Sequence, residues 1–307
     1  MGNSRAVAQF AGSSRGALLT VEHVTKTYVA HRGARATHPA VDDVSFEIAP
    51  GASVGLVGAS GSGKSTLAKM ILGTERPTSG QIRYGDLAIE RIRRRELRTL
   101  YRRVQMVFQD PYGALNPMHT VEYVVSRPCI NFLGLSRSAA SVRAHELLEA
   151  VGLVPTAQFA KKLPHQLSGG QRQRVVIARA LASEPELIVA DEPVSMLDVS
   201  MRAGILKLLA TLREERNISL LYITHDLLSA RVITDQILVL NEGQVVERGA
   251  TKHVLQHPTH EYTVRLLDAV TTAALRRDDA KSASTESDEC PATTVDEPER
   301  VRPGAPE

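Results

Sequence analysis

Short apolar runs separated by turn residues divide this chain into alternating strands and helices. The runs predict strands at Leu18–Val24, Val41–Ile48, Ser53–Val57, Gln81–Tyr84, Val104–Phe108, Leu187–Ala190, Leu220–Ile223, Ile237–Leu240 and Gln244–Arg248. Helical spacing predicts helices at Leu67–Leu72, Ser138–Val151, Arg172–Ala182, Ala203–Leu212, Thr251–Leu255 and His260–Leu267. Strands that alternate with helices in this way indicate an α/β fold with a parallel sheet.

The pattern becomes helical between Tyr112 and about Leu163. Within this stretch the predicted Ser138–Val151 helix has charges between its apolar positions, which are Val142, Leu147, Leu148 and Val151. Strand-like runs resume after it, so we interpret the stretch as a helical insertion within an α/β core.

A glycine-rich stretch follows the predicted Ser53–Val57 strand and fits the pattern G-x-x-x-x-G-K-[ST]. It consists of Gly58, Ala59, Ser60, Gly61, Ser62, Gly63, Lys64, Ser65 and Thr66. Glycines let the backbone turn tightly and approach an anion, while successive N–H groups and the helix start face the phosphates. The pattern predicts that Lys64 reaches the β- and γ-phosphates of a nucleotide and that Ser65 offers its hydroxyl to Mg²⁺.

Two carboxylates end the predicted Leu187–Ala190 strand. Asp191 stands where nucleotide-binding proteins of this kind hold Mg²⁺, and Glu192 could act as the general base that activates water. Adjacent residues on a strand point to opposite sides, which separates the two roles. A purely structural alternative is that these acids cap the helix that follows.

Ser168, Gly169, Gly170 and Gln171 precede the predicted Arg172–Ala182 helix. Ser168 and Gln171 have the spacing of a capping box, which is one explanation of the stretch. Two consecutive glycines at a helix start also leave bare backbone that suits an anion. The two explanations are compatible.

Charge is unevenly distributed along the chain. Residues 278–307 carry nine acidic and three basic residues, which is a net charge of −6. Because the whole chain has a net charge of +3, the residues before 278 carry +9. The basic run at 90–103 is most simply a solvated helix face. With seven Tyr, five Phe and no Trp, few rings are available to stack on bases, so we predict no nucleic-acid partner.

The ends of the chain and its cysteines indicate a cytoplasmic protein. Residues 1–16 are polar and rich in Gly and Ser, and they lack the apolar segment of a signal peptide. No apolar run approaches the roughly 18 residues that a membrane span requires. Two cysteines, Cys129 and Cys290, indicate neither a disulfide scaffold nor a metal cage of four cysteines.

With these motifs in place, the chain resembles the ATP-binding cassette (ABC) family. Leu167–Gln171 reads LSGGQ, which is similar to the family's signature motif. Tyr28 matches the aromatic residue that stacks on adenine, Gln109 the glutamine before the helical subdomain, and His225 the late histidine. The loop Ser195–Asp198 also matches, except that Met196 stands where alanine is common. The resemblance covers roughly residues 18–268.

The resemblance implies an α/β fold: a P-loop NTPase core with an N-terminal antiparallel β-subdomain and a helical insertion subdomain. We expect the cassette to span residues 17–270, with the helical subdomain at about 110–165. The remaining segments, 1–16 and 271–307, are predicted to be disordered tails, the second of them acidic.

The resemblance also implies a mechanism in which two cassettes sandwich two ATP molecules. Each ATP would contact the Lys64 loop of one cassette and residues 168–171 of the other, while Asp198 would act across the dimer. His225 would contact the γ-phosphate and position Glu192. Gln109 would sense Mg²⁺ and water, so the metal would be held by Ser65, Gln109 and Asp191.

Two further stretches resemble the cassettes of peptide and nickel importers. They are Phe108–Pro117 and His257–Thr263, the latter followed by Leu266 and Leu267. The resemblance implies an ATPase subunit on the cytoplasmic face of the cell membrane, with permease subunits, a second cassette and an external substrate-binding protein. Many such relatives hold an iron–sulfur cluster near the C-terminus, but only Cys290 is present there, so no cluster is predicted.

Two other classes of ABC ATPase remain as alternatives. One is a soluble accessory of a multiprotein enzyme, such as the carbon–phosphorus lyase machinery. The other is a DNA-associated ATPase, although such proteins usually carry long coiled coils or zinc hooks, which this sequence does not show. The identity of the transported solute is left open by the sequence, because the cassette binds nucleotide rather than cargo.

Overall fold

The computed structural model describes residues 16–28 and 38–269. The predicted acidic tail at 271–307 and nearly all of the predicted N-terminal tail lie outside these residues. Two β-sheets are present in the described part of the chain. The smaller sheet is antiparallel, with the strand order β2-β1-β4-β5. Its strands are β1 (Leu19–Lys26), β2 (Val41–Ile48), β4 (Ser79–Tyr84) and β5 (Leu87–Ala88). The expected antiparallel β-subdomain is therefore present.

The larger sheet has six strands in the order β10-β9-β3-β8-β7-β6. They are β3 (Ser53–Val57), β6 (Val104–Val107), β7 (Leu187–Asp191), β8 (Ser219–Thr224), β9 (Gln236–Asn241) and β10 (Gln244–Ala250). All neighbours pair in parallel except β9 and β10, which form an antiparallel hairpin. The carboxyl ends of β3, β6, β7 and β8 consequently share one edge, where open α/β sheets place their ligand sites.

Helices connect the strands and form the insertion. They are α1 (Lys64–Ile71), α2 (Arg94–Arg103), α3 (Pro111–Ala114), α4 (Val121–Leu133), α5 (Arg137–Ala150), α6 (Thr156–Ala160), α7 (Gly169–Leu181), α8 (Val199–Arg216), α9 (Leu227–Ile233) and α10 (Thr251–Gln256). Residues 261–269 are also helical, and short 3-10 turns occur at Ile89–Arg91 and Pro164–Gln166. No helix in the described part of the chain combines the length and apolar character that crossing a bilayer requires.

Side chains that alternate along the central strands fill two separate cores, as the two-residue period of a strand requires. Leu220 and Tyr222 of β8 belong to a cluster that includes buried residues of α4, α5, α7 and α8. Leu221 and Ile223 of the same strand belong to a second cluster, shared with α1 and the antiparallel sheet. The central strand is thus covered on both faces.

Three helices begin three or more residues earlier than their apolar residues predict. Helix α1 begins at Lys64 rather than at Leu67, and α7 begins at Gly169 rather than at Arg172. Helix α8 begins at Val199 and is also longer than predicted. In each case the first turn is polar or exposed, so the apolar pattern that buries the rest of the helix does not extend to its start.

The basic run forms a largely exposed helix, α2, as predicted. Its last residue is the exception, because Arg103 forms salt bridges with Asp86 at 2.9 Å and with Glu186 at 3.1 Å. Leu100 is fully buried on the inner face of the helix. The exposed arginines therefore lie on the outside of a helix whose inner face packs through Leu100 and Leu97 and whose end is held by the ion pairs of Arg103.

The helical insertion has its own apolar contacts, chiefly between α4 and α5. Leu147 and Leu148 are fully buried, together with Val125 and Cys129 of α4. Val142, which the sequence pattern places among the apolar positions of this helix, is 62% exposed instead. Val142 lies on the outer face of α5, so its burial, which the helical spacing predicted, was wrong.

We expect Leu148→Ala to destabilise the protein by about 2–5 kcal/mol, because it leaves a cavity in this core. Val142→Ala, on the exposed face of the same helix, should change the free energy of unfolding by no more than about 0.5 kcal/mol. Urea unfolding of the full chain measures both. Equal losses in the two variants would contradict the assigned burial of α5.

Candidate functional site

The glycine-rich stretch forms the loop between β3 and α1. Gly63 precedes α1 with a φ of 106°, and a Cβ at this position would lie 2.2 Å from the carbonyl oxygen of Ala40. Glycine is therefore required here both by the backbone conformation and by the close approach. Since Gly63 has no side chain to cap α1, the first N–H groups of the helix remain available to an anion.

Lys64 lies under this loop with its charged end in a buried position. Its Nζ donates hydrogen bonds to the carbonyl oxygens of Gly58 and Ala59, each at 2.8 Å. Burial lowers the pKa of Lys64, while the negative charges of Glu192 and Asp191 act in the opposite direction. The ammonium group thus lies where it can exchange the loop's own carbonyls for the oxygens of a phosphate.

Ser65 and Asp191 meet at the edge of the sheet where β7 ends. The Ser65 hydroxyl donates to Asp191 Oδ2 at 3.2 Å. Burial raises the pKa of Asp191, and the hydrogen bond from Ser65 opposes that rise. A hydroxyl beside a partly buried carboxylate provides the hard oxygen ligands that Mg²⁺ prefers.

Glu192 is held by side chains that follow two other strands. Gln109, just after β6, donates from Nε2 to Glu192 Oε2 at 3.0 Å. His225, just after β8, places Nδ1 3.0 Å from Glu192 Oε1. Because β6, β7 and β8 are neighbours in the sheet, residues far apart in sequence fix both carboxylate oxygens.

The backbone of Glu192 is unusual for a residue with a side chain. Its φ is 45°, in the left-handed region that a glutamate seldom adopts. Its N–H donates to the carbonyl oxygen of Ile223 at 2.8 Å. Glu192 follows directly after the last residue of β7, and backbone outliers of this kind are often found at functional sites.

The predicted capping box is present at the start of α7. The Gln171 N–H donates to Ser168 Oγ at 3.3 Å, and the Ser168 N–H donates to Gln171 Oε1 at 3.1 Å. Gly169 and Gly170 form the first turn of the helix, and a Cβ on Gly170 would lie 2.7 Å from the sulfur of Met201. Ser168 itself is exposed, so the box stabilises the helix and leaves the outer side of the motif open.

Three other predicted residues lie at exposed positions. Asp198 precedes α8, and its side chain makes no capping hydrogen bond to that helix. Met196, in the same loop, is 57% exposed. Tyr28 is 46% exposed, with Lys26 Nζ 5.1 Å from the centre of its ring. These residues are exposed to solvent, whereas Lys64 is buried.

One contact of the glycine-rich loop involves a residue outside the predicted site. The N–H of Ala59 donates to the hydroxyl oxygen of Tyr262 at 2.8 Å. Tyr262 lies in the His257–Thr263 stretch, which the sequence marks only by its resemblance to importer cassettes. The contact joins positions 203 residues apart, and no local pattern indicates it.

Comparison with known families and proteins gives one consistent match. A family model described as "ABC transporter" matches residues 41–195. The oligopeptide transport ATP-binding protein OppF of Bacillus subtilis is 42% identical over 255 residues, which are 82% of each chain. OppF of Lactococcus lactis strain IL1403 is 43% identical, covering 78% of this chain and 74% of the relative.

Solved structures give the same picture for the fold. The ATP-binding cassette MJ0796, solved as a dimer in a post-hydrolysis state with ADP and Pi, matches with a TM-score of 0.68 and 34% identity. The match covers 76% of this chain and 98% of that one. CbiO1 of Clostridium perfringens, part of the ABC transporter complex cbiONQ, matches with a TM-score of 0.69 and 30% identity, over 79% and 92% of the two chains.

Proposed function

The chain belongs to the ABC transporter family, and from its site we propose that it is the ATP-hydrolysing subunit of a peptide importer. The observation that carries the ATPase assignment is the carboxylate of Glu192, held by Gln109 and His225 beside the lysine of a phosphate loop. The peptide assignment comes from the relatives named above, which are oligopeptide transport proteins.

In this proposal the glycine-rich loop binds the phosphates of ATP. Lys64 leaves the carbonyls of Gly58 and Ala59 and contacts the β- and γ-phosphates instead. Glu192 accepts a proton from water as the water oxygen attacks the γ-phosphorus. The bond from that phosphorus to the oxygen of ADP breaks, which gives ADP and phosphate. Gln109 and His225 keep the carboxylate directed at the water.

Ser65 and Asp191 are the residues that would hold Mg²⁺, with Gln109 beside them. Their oxygen ligands fit this metal, and their separation of 3.2 Å allows both to contact one ion. When bound, Mg²⁺ neutralises charge on the phosphate oxygens. Burial raises the pKa of Asp191, so a bound cation would stabilise the charged form of this carboxyl group.

A second cassette completes the site in this proposal. Ser168 and Asp198 are exposed on this chain, and the side-chain hydrogen bonds of Ser168 and Gln171 are made within their own box. Residues 168–171 would therefore face the nucleotide of a partner cassette, with Asp198 acting across the same interface. Tyr28 would stack on the adenine from the side of this chain.

The partner in the membrane would dock beside Gln109. Three large apolar side chains in residues 108–118 are exposed: Phe108 at 44%, Tyr112 at 62% and Met118 at 81%. Several exposed apolar side chains within one short segment are typical of a protein interface. We infer that they contact permease subunits on the cytoplasmic face of the membrane, and that an external binding protein delivers the peptide.

The test of the transport assignment is purification of the tagged full-length chain from detergent-solubilised membranes, with identification of the proteins that accompany it. Two multispanning proteins and a second cassette are expected. A soluble enzyme complex without any membrane protein would contradict the importer, in favour of the accessory ATPase, and would leave the hydrolysis assignment intact. ATPase activity of the purified assembly, stimulated by a peptide-loaded binding protein, would identify the cargo.

A further inference from the structure

The stretch from His257 to Thr263 contacts the glycine-rich loop through the hydroxyl of Tyr262. Tyr262 accepts a hydrogen bond from the N–H of Ala59, the second residue of the glycine-rich loop, at 2.8 Å. The Tyr262 ring is partly buried and packs against the larger of the two apolar cores. The hydroxyl is thus carried by a side chain that the core holds in one position.

Glu247 of β10 fixes the chain just before Tyr262. Its Oε1 accepts from the N–H of Thr259 at 2.8 Å and from the Thr259 hydroxyl at 2.9 Å. Its Oε2 accepts from the N–H of His260 at 3.2 Å. Burial alone would raise the pKa of Glu247, but the hydrogen bonds that it accepts outweigh burial and leave the pKa lowered. The carboxylate is therefore charged at neutral pH and ties the segment to the sheet.

His260 then starts the helix that carries Tyr262. Its Nδ1 accepts from the N–H of Tyr262 at 3.1 Å, and its carbonyl accepts from the N–H groups of Thr263 and Val264. Thr263 is fully buried. A side-chain acceptor at the helix start and a buried neighbour fix the direction in which Tyr262 leaves the helix.

Ala59 is held at both ends of its backbone. Its N–H is bound by Tyr262, and its carbonyl accepts from Lys64 Nζ. When Lys64 turns to a phosphate, the carbonyl of Ala59 keeps its hydrogen bond from the N–H of Ser62 at 3.2 Å, and its N–H keeps the contact with Tyr262. The hydroxyl therefore fixes the entrance of the loop while the lysine changes partners.

We propose that Tyr262 is a positioning residue for nucleotide binding, which holds the glycine-rich loop open for phosphate through the N–H of Ala59. The proposal rests on the ATPase function given above. It assigns the His257–Thr263 stretch a role in the nucleotide site. The stretch is bound to Glu247 of β10 at one end and, through Tyr262, to the glycine-rich loop after β3 at the other, and we call this connection the brace.

The variant Tyr262→Phe removes the hydroxyl and keeps the ring. We expect the Kd for ADP and the KM for ATP to rise about three- to tenfold, as one lost hydrogen bond and a less ordered loop predict. The kcat should stay within about twofold, because Glu192 and its partners are untouched. The control is Tyr101→Phe on α2, which removes a hydroxyl away from the loop and should change neither constant.

A second variant tests the brace itself. Glu247→Gln loosens Thr259 and His260, so it should raise the same two constants, and Tyr262→Phe in that background should add little further. Calorimetric titration with ADP and steady-state ATPase assays on the full chain, within its purified assembly, give both constants.

The outcomes separate this proposal from the ATPase assignment. A wild-type chain that neither binds ADP nor hydrolyses ATP refutes the assigned function. A wild-type chain that does both, with Tyr262→Phe lowering only the melting temperature, overturns the positioning role alone. A fall in kcat at unchanged KM would overturn it as well, because the hydroxyl would then act in the chemical step.

Discussion

Replacing Glu192 by Gln is expected to abolish ATP turnover while leaving ATP binding intact. The substitution keeps the size of the side chain and removes the carboxylate that takes the proton from water. General-base catalysis contributes about 10²- to 10⁴-fold, so steady-state hydrolysis should fall by at least that factor. Unhydrolysed ATP would then hold two cassettes together. Size-exclusion chromatography with ATP should show an accumulated dimer.

Glu242 offers a closely matched control for this experiment. It is also a glutamate in the left-handed region, with a φ of 47° against 45° for Glu192, but it lies in the exposed turn between β9 and β10. Glu242→Gln should leave turnover unchanged. Undiminished turnover in Glu192→Gln would refute the general-base assignment. If Glu192→Gln and Glu242→Gln lost turnover equally, the loss would follow from replacing a glutamate in a left-handed backbone conformation and not from removing the catalytic carboxylate.

The core of the site can be predicted from sequence because its elements are local. The apolar run at Ser53–Val57, the glycines after it and Lys64 stand next to one another, so the strand, loop and helix follow directly. The same applies to Asp191, which ends a continuous apolar strand. In each case the chemistry depends on backbone that a few neighbouring residues determine.

The arrangement around Glu192 could not be derived in this way. It requires β6, β7 and β8 to be neighbours, and the order of strands in a sheet is set by packing between distant segments. The left-handed backbone of Glu192 has no sequence signal either, since the usual marker of that conformation is glycine. Only the family resemblance indicated that His225 positions this residue. The hydrogen bond from Gln109 to Glu192 was not predicted, because the resemblance assigned Gln109 to Mg²⁺ and water.

The misplaced start of α7 has a related cause. Burial determines the apolar pattern, but capping determines where a helix begins, and the two signals need not coincide. The box formed by Ser168 and Gln171 starts α7 at Gly169, ahead of its apolar residues. The contact of Tyr262 with Ala59 could not be predicted from local sequence either, because it joins positions 203 residues apart.

Ser168→Arg is expected to reduce ATPase activity about 100-fold while a single cassette keeps its affinity for ADP. The new side chain is large and charged, and it would stand on the exposed edge that faces the partner's nucleotide. Loss of one preorganised contact to a phosphate costs about 10²- to 10³-fold in comparable catalytic sites. Hydrolysis rates and calorimetric titration with ADP distinguish failure of the interface from failure of the phosphate loop.

The same substitution also removes a helix cap, which costs about 1 kcal/mol, and this loss requires its own control. Ser136 caps α5 in the same way, with its Oγ accepting from the N–H of Ala139 at 3.2 Å. Ser136→Arg should therefore lower stability by a similar amount and leave hydrolysis intact. If both variants lost activity equally, the loss would follow from stability. If Ser168→Arg kept full activity, the nucleotide would not lie between two cassettes at this motif.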